Sequence, residues 1–80
     1  MKKFYITFGQ KYRHDKHPMV DYADPDGYVV IYAKSSLLAR KKAFETFGKY
    51  WSNLYAEEDM DKSFFPKGIL KILQITNALI

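Results

Sequence analysis

The chain contains no cysteine, and this single absence excludes several kinds of chemistry. Without thiols it can form no disulfide, no thiolate zinc site and no cysteine nucleophile. Structural disulfides are typical of secreted proteins, whereas their absence fits a reducing compartment. We therefore expect a cytoplasmic protein.

Long apolar runs are also missing. A membrane helix needs about 20 consecutive apolar residues, and the most apolar stretch, GILKILQITNALI, is interrupted by Lys71, Gln74 and Asn77. The N-terminus, MKKFYITFGQ, has two lysines but no long apolar core and no small-residue cleavage site, so it does not look like a signal peptide. We expect no association with a membrane.

Glycine is scarce, and its four copies are scattered singly, so there is no glycine-rich phosphate loop. No pattern of a nucleophile beside its base is evident. Four of the nine carboxylates lie in one short run, which is typical of a solvated surface and not of two acids paired in a cleft. That run contains Glu57, Glu58, Asp59 and Asp61. We expect neither catalysis nor a cofactor.

Apolar and aromatic residues, in contrast, are abundant. Of the 80 residues 48% are hydrophobic and 18% are aromatic, with seven Tyr and six Phe. This composition is far too apolar for a disordered chain, and the length suits one small core, so residues 1–80 are expected to form a single domain. The net charge is +4, and basic and acidic blocks alternate along the chain. The alternation predicts a surface with one basic and one acidic side.

Two strands are evident in the first half of the chain. KKFYITF alternates, with Phe4, Ile6 and Phe8 on one face, and predicts a strand that ends at Gly9. YVVIYA, residues 28–33, is β-branched and aromatic throughout and predicts a second strand. The DPDG segment before it predicts a tight turn. We expect the two strands to pair antiparallel.

A helix is predicted over residues 36–47, because Ser35 or Ser36 can cap its start and Gly48 can end it. Arg40 falls inside the apolar arc of this helix. Its stem is therefore expected to lie along the sheet while its guanidinium reaches water or an acidic partner. The arc itself is expected to face the sheet and comprises Leu37, Ala39, Ala43, Phe44 and Phe47.

The second half of the chain leaves alternatives open. KYWSNLYA predicts a third strand, with Trp51, Asn53 and Tyr55 on one face, or a continuation of the helix. EEDMDKSFF predicts a short helix or turn that stops before Pro66. GILKILQI predicts a fourth strand or a final helix. The expected fold is α+β, with a small antiparallel β-sheet of about three to four strands packed on one main helix.

Two histidines three residues apart in GQKYRHDKHP, residues 9–18, raise the question of a metal site. His14 and His17 would share one side of a helix, but no helix is predicted here and Pro18 follows directly. Loops commonly carry histidine and aspartate for solubility and for turns. The DPDG segment lacks the downstream glutamate of a calcium loop. We predict no metal.

Protein recognition is the class of function that the composition favours. Tyr, Trp and Arg are the residue types that anchor interfaces, and this chain has more tyrosines than a small core can hide. A basic side next to an acidic side also favours a defined docking orientation. The candidate partner-binding residues are Gln10, His14, His17, Arg40, Trp51 and Tyr55. The simpler interpretation is an ion pair with Glu57 or Glu58 for Arg40 and a place in the core for Trp51.

Nucleic-acid binding is the alternative. Basic residues are interleaved with Tyr5, Tyr12, Tyr50 and Trp51, which could stack bases if they were exposed. The candidate contacts are Lys11, Arg13, Lys16, Lys41 and Lys42. The simpler interpretation is that the lysines solvate the surface and that most of the aromatic residues belong to the core.

A set of short motifs runs through residues 4–70: YITFGQ, the histidine loop, DGYVVIYA, AR followed by KAF and FG, YW with LY, and FFPKG. Together they resemble a family of small proteins encoded in bacteriophage and prophage genomes. The chain departs from the family pattern in its longer, lysine-rich loop and in its tail after Leu73. The residues that match are Phe8, Gly9, Gln10, His14, His17, Ala39, Arg40, Ala43, Phe44, Phe47, Gly48, Trp51, Tyr55 and Pro66.

The resemblance implies a phage-encoded accessory protein that acts in the cytoplasm of a bacterial host. Phage proteins of this size often inhibit or redirect a host enzyme, block a defence system or coat nucleic acid. The expected function is therefore non-catalytic binding of a host protein. Inhibition of a host defence nuclease, anti-CRISPR-like or anti-restriction-like, is the form that this binding is expected to take.

Overall fold

A four-stranded mixed sheet and one α-helix form the framework of the protein. The computed structural model describes residues 1–9 and 17–74. The elements are β1 (Lys2–Thr7), β2 (Gly27–Ala33), α1 (Ser36–Phe47), β3 (Asn53–Ala56) and β4 (Gly68–Gln74), with short 3-10 turns at Glu57–Asp59 and Lys62–Phe64. The predicted α+β class, with one main helix on a small sheet, is confirmed.

The strands lie in the order β3-β1-β2-β4. β1 pairs antiparallel with β2, with Phe4 opposite Ile31 and Ile6 opposite Val29, which confirms the predicted pairing of the first two strands. β1 also pairs antiparallel with β3. β4 runs parallel to β2, because the chain crosses over between them through α1 and β3. The sheet is consequently mixed, so the prediction of a purely antiparallel sheet is wrong for β4. The two segments for which a helix was the alternative, KYWSNLYA and GILKILQI, contain the strands β3 and β4.

α1 begins and ends at the predicted residues. The Ser35 hydroxyl accepts a hydrogen bond from the Leu38 N–H at 3.3 Å and so satisfies one of the free donors of the first turn. Gly48 ends the helix at a φ of 62°, and its N–H donates to the Phe44 carbonyl at 2.9 Å. A Cβ at this position would lie 2.7 Å from Met19 Sδ, so glycine is needed for the close approach as well. No helix in the described part of the chain is long and apolar enough to cross a membrane.

Only a narrow stripe of α1 faces the sheet. Ala39, Ala43 and Phe47, at i, i+4 and i+8, are fully buried. Leu37 and Phe44 are 74% and 48% exposed, so the prediction that they face the sheet is wrong. The small alanines let the helix lie close to the strands, and Leu37 and Phe44, on one side of the stripe, are turned towards solvent while Leu38 packs partly buried against the core.

The opposite face of the sheet is covered too, which the sequence does not predict. Tyr5, Tyr28 and Val30 form a second buried cluster, in which the rings of Tyr5 and Tyr28 are 5.2 Å apart in an edge-to-face contact. Met60 and Phe65, from the segment between β3 and β4, pack against this cluster. Tyr5 is 0% exposed, so it cannot stack bases on an open sheet as the nucleic-acid alternative requires.

Local hydrogen bonds shape the segment that covers this face. The Ser63 N–H and hydroxyl both donate to the Asp61 carboxylate, and these bonds hold the pKa of Asp61 below its usual range. The Phe65 N–H donates to the Lys62 carbonyl at 3.1 Å and closes the second 3-10 turn. The predicted short helix or turn before Pro66 is thus confirmed, in the form of two 3-10 turns.

The DPDG turn forms as predicted and joins the starts of two strands. The Gly27 N–H donates to the Asp24 carbonyl at 3.1 Å, and the Asp24 carboxylate accepts from the Asp26 N–H at 2.8 Å. The Lys67 N–H donates to the Asp26 carbonyl at 2.9 Å, and the Lys67 ammonium pairs with the Asp24 carboxylate. These bonds fix the start of β4 beside the start of β2.

The hydroxyl of Tyr5 allows a clean test of the second cluster. It is buried and makes no hydrogen bond of normal geometry in the described part of the chain, although the Lys3 ammonium lies near enough for Tyr5 to raise the pKa of Lys3. Because an unsatisfied buried polar group is destabilising, Tyr5→Phe should leave the free energy of unfolding unchanged or raise it by up to about 2 kcal/mol. Urea denaturation of the two proteins checks this. A loss above about 1 kcal/mol would show that the hydroxyl is bonded after all.

Candidate functional site

The structure brings together two of the six residues predicted to bind a partner. Arg40 and Trp51 are in contact, whereas His17 is buried and Tyr55 lies on the opposite face of the sheet. The other two lie outside the described residues: Gln10 and His14. So do three residues of the nucleic-acid alternative: Lys11, Arg13 and Lys16.

His17, the residue that follows the segment 10–16, anchors its loop to the segment after α1. Its ring is 8% exposed. Nε2 lies 3.0 Å from the Tyr50 carbonyl oxygen, which can only accept, so Nε2 carries the hydrogen. Nδ1 accepts hydrogen bonds from the N–H groups of Met19 and Val20, at 3.1 and 3.2 Å. Both ring nitrogens are thus used inside the protein.

The aspartates and glutamates of the described chain do not complete a metal site with this histidine. Within residues 1–9 and 17–74, no three His, Asp or Glu side chains come close enough together to hold a metal ion. Asp24, in the turn before β2, is engaged with the Asp26 N–H and with the Lys67 ammonium. His17 and Asp24 therefore serve loop anchoring and turn formation.

Tyr55 is separated from Arg40 and Trp51 by the sheet. It lies opposite Tyr5 in the pairing of β3 with β1 and packs against the cluster on the face away from α1. Trp51 packs against the cluster on the helix side. A single partner surface therefore cannot combine all of the predicted residues, and the helix side carries the exposed group that is described next.

Four side chains form an exposed ridge along the outer side of α1. The Arg40 guanidinium carbon lies 5.7 Å from the Phe44 ring centroid and 5.5 Å from that of Trp51. The rings of Phe44 and Trp51 meet edge to face at 5.2 Å. Leu37, three residues before Arg40, lies on the same side of the helix. We call Leu37, Arg40, Phe44 and Trp51 the α1 ridge.

The backbone around the end of α1 places Trp51 beside the helix. Gly48 has a positive φ, and the Tyr50 N–H then donates to the Phe47 carbonyl at 3.1 Å, which closes a turn after the helix. The Ser52 N–H donates to the Thr7 carbonyl at 2.8 Å, which fixes the approach to β3. Trp51 is thereby half-buried against the core on one side and in contact with Arg40 and Phe44 on the other.

The α1 ridge lies in a basic part of the surface. Residues 34–56 contain five basic residues and one acidic residue, Glu45. Lys41 is exposed beside the ridge, and Lys42 is half-buried. The simpler interpretation of Arg40, an ion pair with Glu57 or Glu58, is wrong: among the described residues, no carboxylate lies within 4.0 Å of the Arg40 guanidinium, and Glu57 is instead 3.9 Å from the Lys3 ammonium. Within residues 1–9 and 17–74, the positive charge of Arg40 is therefore unpaired.

A cavity of about 320 Å³ lies on the other side of Trp51. Ligand sites of this size bind through a few polar groups that point into them. Two of its polar lining residues are already committed, because His17 uses both ring nitrogens and Asp24 bonds to the turn and to Lys67. The indole N–H of Trp51, which also lines the cavity, is buried without a partner in the described part of the chain. The ridge nevertheless combines a charged donor with exposed apolar side chains and is therefore the stronger candidate.

A second group of exposed apolar side chains lies near the outer edge of the sheet. Phe64, Ile69 and Ile72 are 73%, 50% and 56% exposed. Arginine and tryptophan, the residue types that most often dominate binding energy, are absent from this group. The α1 ridge contains both, and so it is the candidate functional site.

Sequence reasoning missed two members of the ridge because it placed Leu37 and Phe44 in the core. Arg40 could have revealed the error. It stands three residues after Leu37 and four before Phe44, so all three share one side of a helix. A charged residue in the middle of that side indicates that the side faces solvent, and that the buried stripe is the neighbouring one.

Comparisons with known proteins add no further identification: no protein-family model, no curated protein and no solved structure matches this chain. The resemblance to a phage-encoded family therefore stays a prediction. The functional interpretation depends on the geometry of the chain's own residues.

Proposed function

We propose that the protein is a non-catalytic binding module that recognises another protein through the α1 ridge. The observation that carries this proposal is the contact of the Arg40 guanidinium with the rings of Phe44 and Trp51, next to an exposed Leu37. Arginine and tryptophan are enriched among the few residues that dominate the energy of protein interfaces. Here they occur together with two exposed apolar side chains on one helix.

The ridge is also ordered before any partner arrives. Trp51 packs against the core, and Arg40 is held over two rings, so neither long side chain loses much conformational freedom on binding. Each immobilised flexible side chain otherwise costs about 0.5 to 1.5 kcal/mol. A preformed ridge on a rigid helix therefore supports recognition of a defined partner.

The resemblance to phage-encoded proteins extends this proposal to a partner class. On this basis the partner is a protein of a bacterial host, the site of action is the host cytoplasm, and the effect is inhibition of a defence nuclease. The basic surface around the ridge argues against mimicry of DNA, which requires an acidic surface. Inhibition would then come from occupying a protein surface of the nuclease.

The described residues favour a protein over a nucleic acid as the partner. Base stacking needs free aromatic faces, but Tyr5 is buried, and Arg40 lies over the rings of both Phe44 and Trp51. Leu37 and Phe44 would remain exposed to water in a complex that contacted only phosphates. Lys41 and Lys42 then have the simpler role of solvating the helix.

Affinity capture with matched variants tests the proposal. Tagged protein is incubated with nuclease-treated bacterial lysate, washed at moderate salt, and analysed by mass spectrometry. We expect a captured protein whose recovery falls at least ten-fold with Arg40→Ala plus Phe44→Ala, because both anchors are removed. Glu45→Ala is the control, since Glu45 is exposed next to Phe44 but on another side of the helix.

Dependence on the ridge, and not capture itself, decides the outcome. A protein that is recovered equally with both variants would show that the partner surface lies elsewhere on the molecule. Recovery of nucleic acid alone, from lysate without nuclease treatment and lost steeply as salt rises, would replace the proposal with the nucleic-acid alternative.

A further inference from the structure

We infer that the segment recognised by the α1 ridge is acidic, with carboxylates for Arg40 and an apolar side chain for Phe44 and Leu37. The inference rests on the proposed function, because it names the chemistry of the partner that this same surface binds. It commits to one class of occupant: a protein segment that combines negative charge with an apolar anchor.

The charge of Arg40 is the first reason. In the described part of the chain its guanidinium has neither a carboxylate partner nor a hydrogen-bond acceptor, and its contacts are with the rings of Phe44 and Trp51. Contact with a ring face leaves the five N–H donors of a guanidinium available, and these match a carboxylate in a bidentate geometry. A carboxylate approaching along the ridge would thus meet a positioned fork of donors.

The surroundings of Arg40 point the same way. Lys41 is exposed four residues after Leu37 on the same helix, and Glu45 is the one acidic residue in the 34–56 segment. A basic partner would meet uncompensated like charges, which disfavour association, whereas an acidic partner would be attracted and oriented by them. A symmetric pairing of two α1 ridges would bring the same basic surfaces together and is disfavoured on the same ground.

The apolar members of the ridge distinguish an acidic protein segment from a phosphate chain. Phosphate oxygens could also pair with Arg40, but they offer nothing to bury Leu37, which is 74% exposed, or Phe44, which is 48% exposed. An apolar side chain next to a carboxylate covers both in one contact. The combination of fork and apolar surface therefore fits an acidic peptide segment.

Selection from a peptide library supplies the probe. Random twelve-residue peptides displayed on particles are selected against the immobilised full chain, and the enriched peptides are synthesised. We expect them to carry net negative charge and at least one large apolar residue. Their dissociation constants for the wild-type chain and for variants are then measured by fluorescence anisotropy at fixed salt.

Three variants separate the contributions of the Arg40 charge, the guanidinium geometry and the general charge of α1 to peptide affinity. Arg40→Glu should weaken binding at least ten-fold, because it reverses the charge that the carboxylates meet. Arg40→Lys should weaken it less, since the charge stays while the fork is lost. Lys42→Glu makes the same charge reversal on the same helix but two residues away, off the ridge, and should change affinity by less than about three-fold. Thermal unfolding verifies that all three variants are folded.

The outcomes separate this inference from the proposed function. If the enriched peptides are neutral or basic yet lose affinity with Phe44→Ala, the inference is wrong while the ridge remains a binding surface. If no peptide is enriched, or if substitutions of Arg40 and Phe44 leave the peptide affinity unchanged, the inference and the proposed function are both wrong. A third outcome is that a single-stranded oligonucleotide binds more tightly than any peptide and that Arg40→Glu and Lys42→Glu lower its affinity equally. This result would overturn both the inference and the proposed function in favour of nucleic-acid binding.

Discussion

Replacing Phe47 by alanine should lower the free energy of unfolding by about 3 to 5 kcal/mol, the usual range for a large aromatic side chain removed from a core. Phe47 is fully buried between α1 and the sheet. Its ring makes edge-to-face contacts with Phe8, His17 and Tyr22 at centroid distances of 5.2, 6.0 and 6.1 Å. The substitution therefore removes apolar contacts from three parts of the chain at once and leaves a cavity between them.

Such a loss is large for a domain of this size. Small domains are stable by roughly 5 kcal/mol or somewhat more, so the Phe47→Ala protein should be partly unfolded at 25 °C. Urea denaturation followed by circular dichroism measures the change. Phe64→Ala is the matched control, because it deletes the same atoms from a side chain that is 73% exposed, and it should cost less than about 0.5 kcal/mol. Equal losses for the two variants would contradict the assigned core.

The elements that the sequence predicts best are those whose ends carry their own signals. Ser35 can cap the helix start through its hydroxyl, and Gly48 can adopt the left-handed turn at its end, so the bounds of α1 follow from local chemistry alone. The alternation of β1 and the DPDG turn before β2 are equally local. These features depend on a few neighbouring residues and are therefore readable without the rest of the fold.

The direction of β4 and the cover of the second sheet face are not local. β4 lies parallel to β2 because of the path that the chain takes through α1 and β3, and no residue of GILKILQ encodes that path. In sequence, the segment that covers this face resembles a solvated acidic run, since it contains four carboxylates. Met60 reaches the sheet from within that run, and Phe65 reaches it from four residues beyond its end. The acidic residues therefore make this segment look exposed in sequence, although two of its apolar side chains pack against the core.

The candidate site was predictable in its residue types but not in its grouping. Arg40 and Trp51 stand out as interface residues, and they do meet. Phe44 was assigned to the core because helical periodicity cannot tell two adjacent apolar stripes apart when the true one contains alanines. Ala39 and Ala43 are buried because they allow close packing, not because they are strongly hydrophobic. Apolar size is therefore a misleading guide to burial on this helix.

His17 shows how a residue type that suggests chemistry can serve structure, and this gives the second large prediction. His17→Ala should lower the free energy of unfolding by about 2 to 3 kcal/mol, because it leaves the Tyr50 carbonyl and the N–H groups of Met19 and Val20 without their present partner. The loss of ring contacts with Phe8 adds to this. Urea denaturation again provides the measurement.

His17→Asn separates the hydrogen bonds from the ring. An asparagine side-chain oxygen commonly accepts from the N–H groups two and three residues further on, so it can replace Nδ1 towards Met19 and Val20 but cannot reach the Tyr50 carbonyl. Stability should therefore fall in the order wild type, His17→Asn, His17→Ala. Equal stability of the wild type and His17→Ala would remove the structural role. If His17→Ala abolished partner capture without lowering stability, His17 would belong to the binding surface. If His17 is only a structural anchor next to Trp51, the substitution should weaken capture only in proportion to the stability that it removes.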